Sequence, residues 1–106
     1  MLTLKSNREF VKIYKKGRSA HSDALVLFFL PHKSESTIGF TASKKVGNAV
    51  MRNRAKRRMR ALVLKNVDKI ESGGYVFVAK SSTATTRWGD LERSFKRVLS
   101  KSGALK

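Results

Sequence analysis

The sequence predicts an α+β fold, a small two-layer sandwich with its elements in the order α-β-β-α-β-α. Three observations predict it. Apolar residues recur at helical spacing in three separate stretches, and runs of strand-forming residues lie between them. The chain has 106 residues and no cysteine, so one domain spanning residues 1–106 must bury its core without disulfide support.

The first helix begins at Ser6. Ser6 and Glu9 have capping-box spacing, in which each side chain can satisfy an orphan amide of the first turn. Phe10, Ile13 and Tyr14 share one face, and Val11 lies off it. Lys15 and Lys16 occupy the last turn, where cations suit the helix dipole, and Gly17 is positioned to cap the end. Residues 24–30 are apolar on both faces, as in an interior strand, and Pro31 ends the run. Residues 37–42 read as a second strand, expected to pair with the first as an antiparallel hairpin across loop 32–36. An extra short strand, over residues 19–23 or within that loop, stays open.

Asn48 is a good cap for a long helix over residues 49–66. Met51, Ala55, Met59, Leu62 and Val63 give that helix a narrow apolar stripe, with Arg52, Lys56 and Arg60 in a row beside it. Gly73-Gly74 is expected to turn the chain into a short strand, residues 75–79. A third helix ends near Lys101, with Trp88, Leu91, Phe95, Val98 and Leu99 as its core face. The last residues are expected to fray. Neither an internal repeat nor a linker interrupts the chain.

Twenty-four Lys and Arg against seven Asp and Glu give a formal charge of +17. Self-repulsion of that size is relieved by a polyanion, which means nucleic acid or an anionic membrane. The charge is also clustered. Residues 44–60 contain eight Lys and Arg and no acid. Membrane-surface helices carry bulky Trp, Phe or Leu on the apolar side, whereas this stripe begins with Met51, Ala55 and Met59, suited to close packing on a sheet. No apolar run approaches the ~20 residues of a membrane span, and the start Met-Leu-Thr-Leu-Lys has no signal-peptide pattern. Together with the missing cysteines, these features lead us to expect a cytoplasmic protein without a membrane partner.

The acids are Glu9, Asp23, Glu35, Asp68, Glu71, Asp90 and Glu92, and they do not assemble an acid–base pair. Asp68 and Glu71 lie one turn apart where a helix should be ending, so both should be solvated. Asp90 and Glu92, two residues apart, do not face each other and suit a helix N-terminus. His21 and His32 fall in expected loops with no acid at ligand spacing. There is no nucleophile elbow and no phosphate-cradling Gly-rich loop. No catalytic residue, metal site or protein-bound cofactor is therefore expected.

The densest signal is Ser43-Lys44-Lys45-Val46-Gly47-Asn48-Ala49-Val50-Met51-Arg52-Asn53-Arg54-Ala55-Lys56-Arg57-Arg58-Met59-Arg60. Arginines at i, i+4, i+8 can follow a phosphodiester path with forked donors, and a helix start offers free amides to phosphate. The stretch closely resembles the Arg-Asn-Arg signature of the bacterial ribonuclease P protein subunit, here Arg52-Asn53-Arg54 after a Lys-Lys-x-Gly-x-Ala-Val run. The family's aromatic pair on the first helix corresponds to Phe10 and Tyr14. Its following Lys-x-Gly corresponds to Lys16-Gly17, one residue shorter here. The resemblance covers nearly the whole chain.

The resemblance implies a subunit of a ribonucleoprotein that removes the 5′ leader from precursor tRNA. The RNA subunit would carry catalysis with Mg²⁺, and no obligate protein partner is implied. It also implies a left-handed crossover around the basic helix, against the usual right-handed default. Lys44, Lys45, Asn48, Arg52, Asn53, Arg54, Lys56, Arg57, Arg58 and Arg60 would meet the RNA subunit. Arg58 lies near the apolar stripe and is the weakest of this set, since its stem could simply cover the core. Phe10, Tyr14, Phe28, Lys15 and Lys16 would meet the leader, since aromatic faces stack on unpaired bases with little sequence preference. Phe29 points away from Phe28 and is the alternative to it. Trp88 is expected in the core. A ribosomal or general RNA-binding protein would share this charge and fold, and precursor-tRNA processing separates the two.

Overall fold

The computed structural model describes residues 2–106. In chain order these form β1 (Leu2–Thr3), α1 (Asn7–Lys16), β2 (Arg18–His21), β3 (Leu25–Pro31), β4 (Thr37–Thr41), α2 (Ala49–Asn66), β5 (Gly73–Ala79) and α3 (Trp88–Lys101). Single-turn 3₁₀ segments lie at Lys44–Val46, Val67–Lys69 and Ser81–Ala84. The α+β class and the expected helices and strands are present. The open question over residues 19–23 resolves as β2, which starts one residue earlier, and β1 is additional.

Capping explains two helix starts. The Ser6 hydroxyl accepts from the Glu9 amide at 3.3 Å, and the Asn48 side-chain oxygen accepts from the Met51 amide at 3.0 Å. Gly17 caps α1, donating its amide to Ile13 at 2.9 Å, but in extended conformation rather than the left-handed one common at helix ends.

The sheet order is β1-β4-β5-β3-β2. The expected hairpin between residues 24–30 and 37–42 does not form. β5 inserts between β3 and β4, antiparallel to β3 and parallel to β4. β3 instead turns back on β2, with Ser19 opposite Phe28. The reason is burial. β5 carries apolar side chains to both faces, and Tyr75, Val76 and Phe77 are fully buried, so the central position suits it best. Gly73 and Gly74 belong to this strand and are not a turn. A Cβ on Gly73 would lie 2.5 Å from the Phe29 ring and 2.6 Å from the Leu30 carbonyl oxygen, so glycine lets β5 lie against β3 there.

The sheet has two unequal faces. Leu25, Leu27, Phe29, Tyr75 and Phe77 point to one, under Ala55, Met59, Leu62 and Val63 of α2 and Leu91, Phe95, Val98 and Leu99 of α3. Phe77 stacks on Phe95 with centroids 5.1 Å apart. The opposite face holds a smaller cluster in which Ile13 of α1 packs with Leu4 and Val76, flanked by Phe10, Phe28, Leu30 and Val78. The long basic helix and the short aromatic helix therefore lie on opposite layers.

Three further expectations are corrected. The C-terminus is docked rather than frayed: Ala104 is fully buried, Leu105 bridges Ile70, and the Ala104 carbonyl accepts from the Glu71 amide at 2.7 Å. His21 ends β2 and is not in a loop. Trp88 keeps 40% of its surface exposed: it is the first residue of α3, one turn before Leu91, the first buried position of that helix.

Candidate nucleic-acid interface

The charged face of α2 divides into three rows around its buried stripe. Asn53 and Arg57 are exposed on the side away from the sheet. Arg52, Lys56 and Arg60 form the row toward β4: the Arg52 guanidinium donates to the Gly47 carbonyl at 3.2 Å, and that of Arg60 lies over the Phe40 ring at 5.4 Å. Arg54 and Arg58 form the row toward α3. Arg54 Nε donates to the Ala84 carbonyl at 2.8 Å. Arg58 donates Nη1 to the Thr83 carbonyl at 2.7 Å and Nη2 to the Thr86 carbonyl at 2.5 Å.

The candidates thus differ in freedom. Arg58 is a clamp between α2 and the Ser81–Ala84 turn, and burial, followed by the neighbouring Arg54 charge, lowers its proton affinity. Arg57 and Asn53 have no such ties among the described residues. Arg54 is exposed but partly committed to Ala84. Lys44 and Lys45 stand exposed on the 3₁₀ turn before the helix. Asn48 is exposed, with its side-chain oxygen used for the cap and its Nδ2 amino group left as a donor.

The acids next to this surface are neutralised. The Glu92 carboxylate accepts from Lys65 at 2.6 Å, and this bond, with the nearby lysine charges, holds its pKa below the usual carboxylate range. Asp90 pairs with Arg93. The α2–α3 side therefore presents cations with little opposing charge, an arrangement suited to phosphate.

On the other layer the structure brings Phe10, Tyr14 and Phe28 together. Tyr14 meets Phe28 edge to face with centroids 4.8 Å apart, and Phe10 lies 6.4 Å from Tyr14. Gly39 opens the space for Phe10, since a Cβ there would fall 2.6 Å from its ring. Phe28 is half-buried on this face, whereas Phe29 is buried in the main core against Tyr75 at 4.7 Å. Of the two candidates, Phe28 is thus the one beside α1. Lys15 and Lys16 stand exposed at the end of α1, next to the aromatic group.

The family model described as Ribonuclease P matches residues 1–103. The chain belongs to the ribonuclease P protein family. The ribonuclease P protein component of a Nitratiruptor species is 45% identical over 97 residues, covering 92% of this chain and 88% of that one. That of Clostridioides difficile (strain 630) is 35% identical over 102 residues, covering 93% and 90%. The solved Staphylococcus aureus RNase P protein matches with a TM-score of 0.88 at 26% identity, covering 100% of this chain and 99% of that one. The Thermotoga maritima RNase P protein shares the fold at a TM-score of 0.81. As a member of this family, the protein is the protein subunit of ribonuclease P, an RNA-based endoribonuclease. It works with an RNA subunit, binds RNA and serves tRNA processing. Among the described residues, no helix is long and apolar enough to cross a membrane.

Sequence reasoning missed the exposure of Trp88. Its spacing to Leu91 fits the core face, and only its position in the first helical turn distinguishes it. Nothing local announced that Arg60 would lie over Phe40, since that contact depends on where β4 enters the sheet.

Proposed function

We propose that the two layers of this ribonuclease P protein hold two different RNAs. The exposed cations of α2, with Lys44, Lys45 and Asn48 at its start, dock on the RNA subunit. The aromatic cluster of Phe10, Tyr14 and Phe28, with Lys15 and Lys16 at the end of the same helix as Phe10 and Tyr14, takes the single-stranded 5′ leader of precursor tRNA. The observation that carries this division is the separation of the two surfaces by the sheet, with the Phe10, Tyr14 and Phe28 rings on one side and the cationic rows of α2, Arg57 the freest among them, on the other. Aromatic faces suit unpaired bases of any sequence, and guanidinium groups suit the fixed phosphates of a folded RNA.

Under this proposal Mg²⁺ serves the RNA subunit, and the chain works in the cytoplasm, where precursor tRNA is made. Photocrosslinking in the reconstituted holoenzyme tests the division. Leader nucleotides carrying 4-thiouridine should crosslink to residues 10–14 and 26–28, and thiouridine in the RNA subunit to residues 44–60. Leader crosslinks concentrated on α2 would overturn it.

A further inference from the structure

Trp88 is the chain's single tryptophan, and it stands on the rim of the basic surface. The Arg58 guanidinium lies over its ring, 5.6 Å from the centroid. That guanidinium is itself held by two backbone carbonyls, Thr83 and Thr86, so the ring rests on a fixed cation. Forty per cent of the Trp88 surface remains in solvent. Arg87, immediately before it, is exposed and forms no ion pair among the described residues. Arg54 lies on the same row as Arg58 and is also exposed. The nearest acids in sequence, Asp90 and Glu92, are paired with Arg93 and Lys65, so they repel a polyanion less.

A rigid, solvent-facing indole with cations around it is the chemistry that recognises an unpaired nucleobase and its flanking phosphates. We propose that Trp88 stacks on an unpaired base of the RNA subunit, with Arg87 and Arg54 on the adjoining phosphates. The RNA-docking surface of α2 thereby continues onto the start of α3. The proposal rests on the assignment of α2 to the RNA subunit and names a contact beyond it.

The lone tryptophan supplies the test. Acrylamide quenching of its fluorescence is measured on the free protein, with the ribonuclease P RNA subunit, and with precursor tRNA alone, while binding is followed separately by gel shift. The RNA subunit should lower the quenching constant at least twofold, and precursor tRNA alone should leave it higher. Trp88→Leu should weaken assembly with the RNA subunit roughly 5- to 100-fold, the range for losing one stacked base, while Trp88→Phe keeps most of the affinity. Because half-exposed Trp88 lies outside the main core, thermal melts of both variants should show a folded protein. Assembly with an unchanged quenching constant and an undiminished Trp88→Leu affinity would overturn the stacking contact alone. Protection by precursor tRNA only would also overturn it. Failure of the RNA subunit to bind at all would remove the α2 assignment, and this inference with it.

Discussion

Tyr14 on α1 and Phe28 on β3 meet edge to face, their ring centroids 4.8 Å apart and their planes at 86°. The contact joins the shortest of the helices to the sheet and leaves Tyr14 38% exposed. Replacing Phe28 by alanine removes the ring that supports Tyr14. In the holoenzyme, Phe28→Ala should weaken precursor tRNA by about 1–3 kcal/mol, the worth of a stacked base, and leave mature tRNA nearly unchanged. Equilibrium binding of the two RNAs measures the ratio. Equal losses for both would assign Phe28 to packing.

Gly39 sets the position of the neighbouring ring. Gly39→Ala brings a methyl group to within 2.6 Å of Phe10, whose ring can swing aside. Stability should fall by only about 1 kcal/mol. Discrimination between precursor and mature tRNA should fall with it, because Phe10 has left its place. A urea melt and the same binding ratio check both parts.

Arg57 and Arg58 are sequence neighbours with different tasks. Arg57→Ala should leave the melting curve alone and reduce the slope of log affinity against log salt by about one unit. Arg58→Ala removes two hydrogen bonds to backbone carbonyls and should cost about 1–3 kcal/mol of stability. Salt titrations of RNA-subunit binding beside thermal melts separate the two. A stable Arg58→Ala would mean that its clamp is dispensable.

The Tyr75 hydroxyl donates to the Glu71 carbonyl at 2.5 Å, and burial, then the Glu71 charge, raises its pKa well above the usual tyrosine value. A raised folded-state pKa means that the neutral phenol is the stable form. Its contribution is complete below the unfolded value of about 10 and is lost as pH rises toward the folded value. Tyr75→Phe should therefore lose stability less steeply than the natural protein above about pH 10, as followed by urea denaturation across pH. Parallel curves would contradict the assignment.

The sequence announced its helices well because their signals are local. The Ser6 and Asn48 caps and the stripe Ala55, Met59, Leu62, Val63 need only a few turns of chain to be read. Sheet pairing was less legible. Whether β3 meets β4 or β5 depends on which strand has two apolar faces and on the close approach that Gly73 allows, and both compete over the whole chain. The same holds for the site. The basic helix could be read as a charge row, but the commitment of Arg58 to Thr83 and Thr86 needed a turn 25 residues away. Phe28 could be told from Phe29 only once α1 lay over one face of the sheet.

The most direct test is leader removal in a reconstituted reaction containing a bacterial ribonuclease P RNA and precursor tRNA at low Mg²⁺ and moderate salt. Adding this protein should accelerate cleavage at the mature 5′ end, and the protein without RNA subunit should cleave nothing. An unchanged rate with the protein present, or cleavage by the RNA-free protein, would contradict the account.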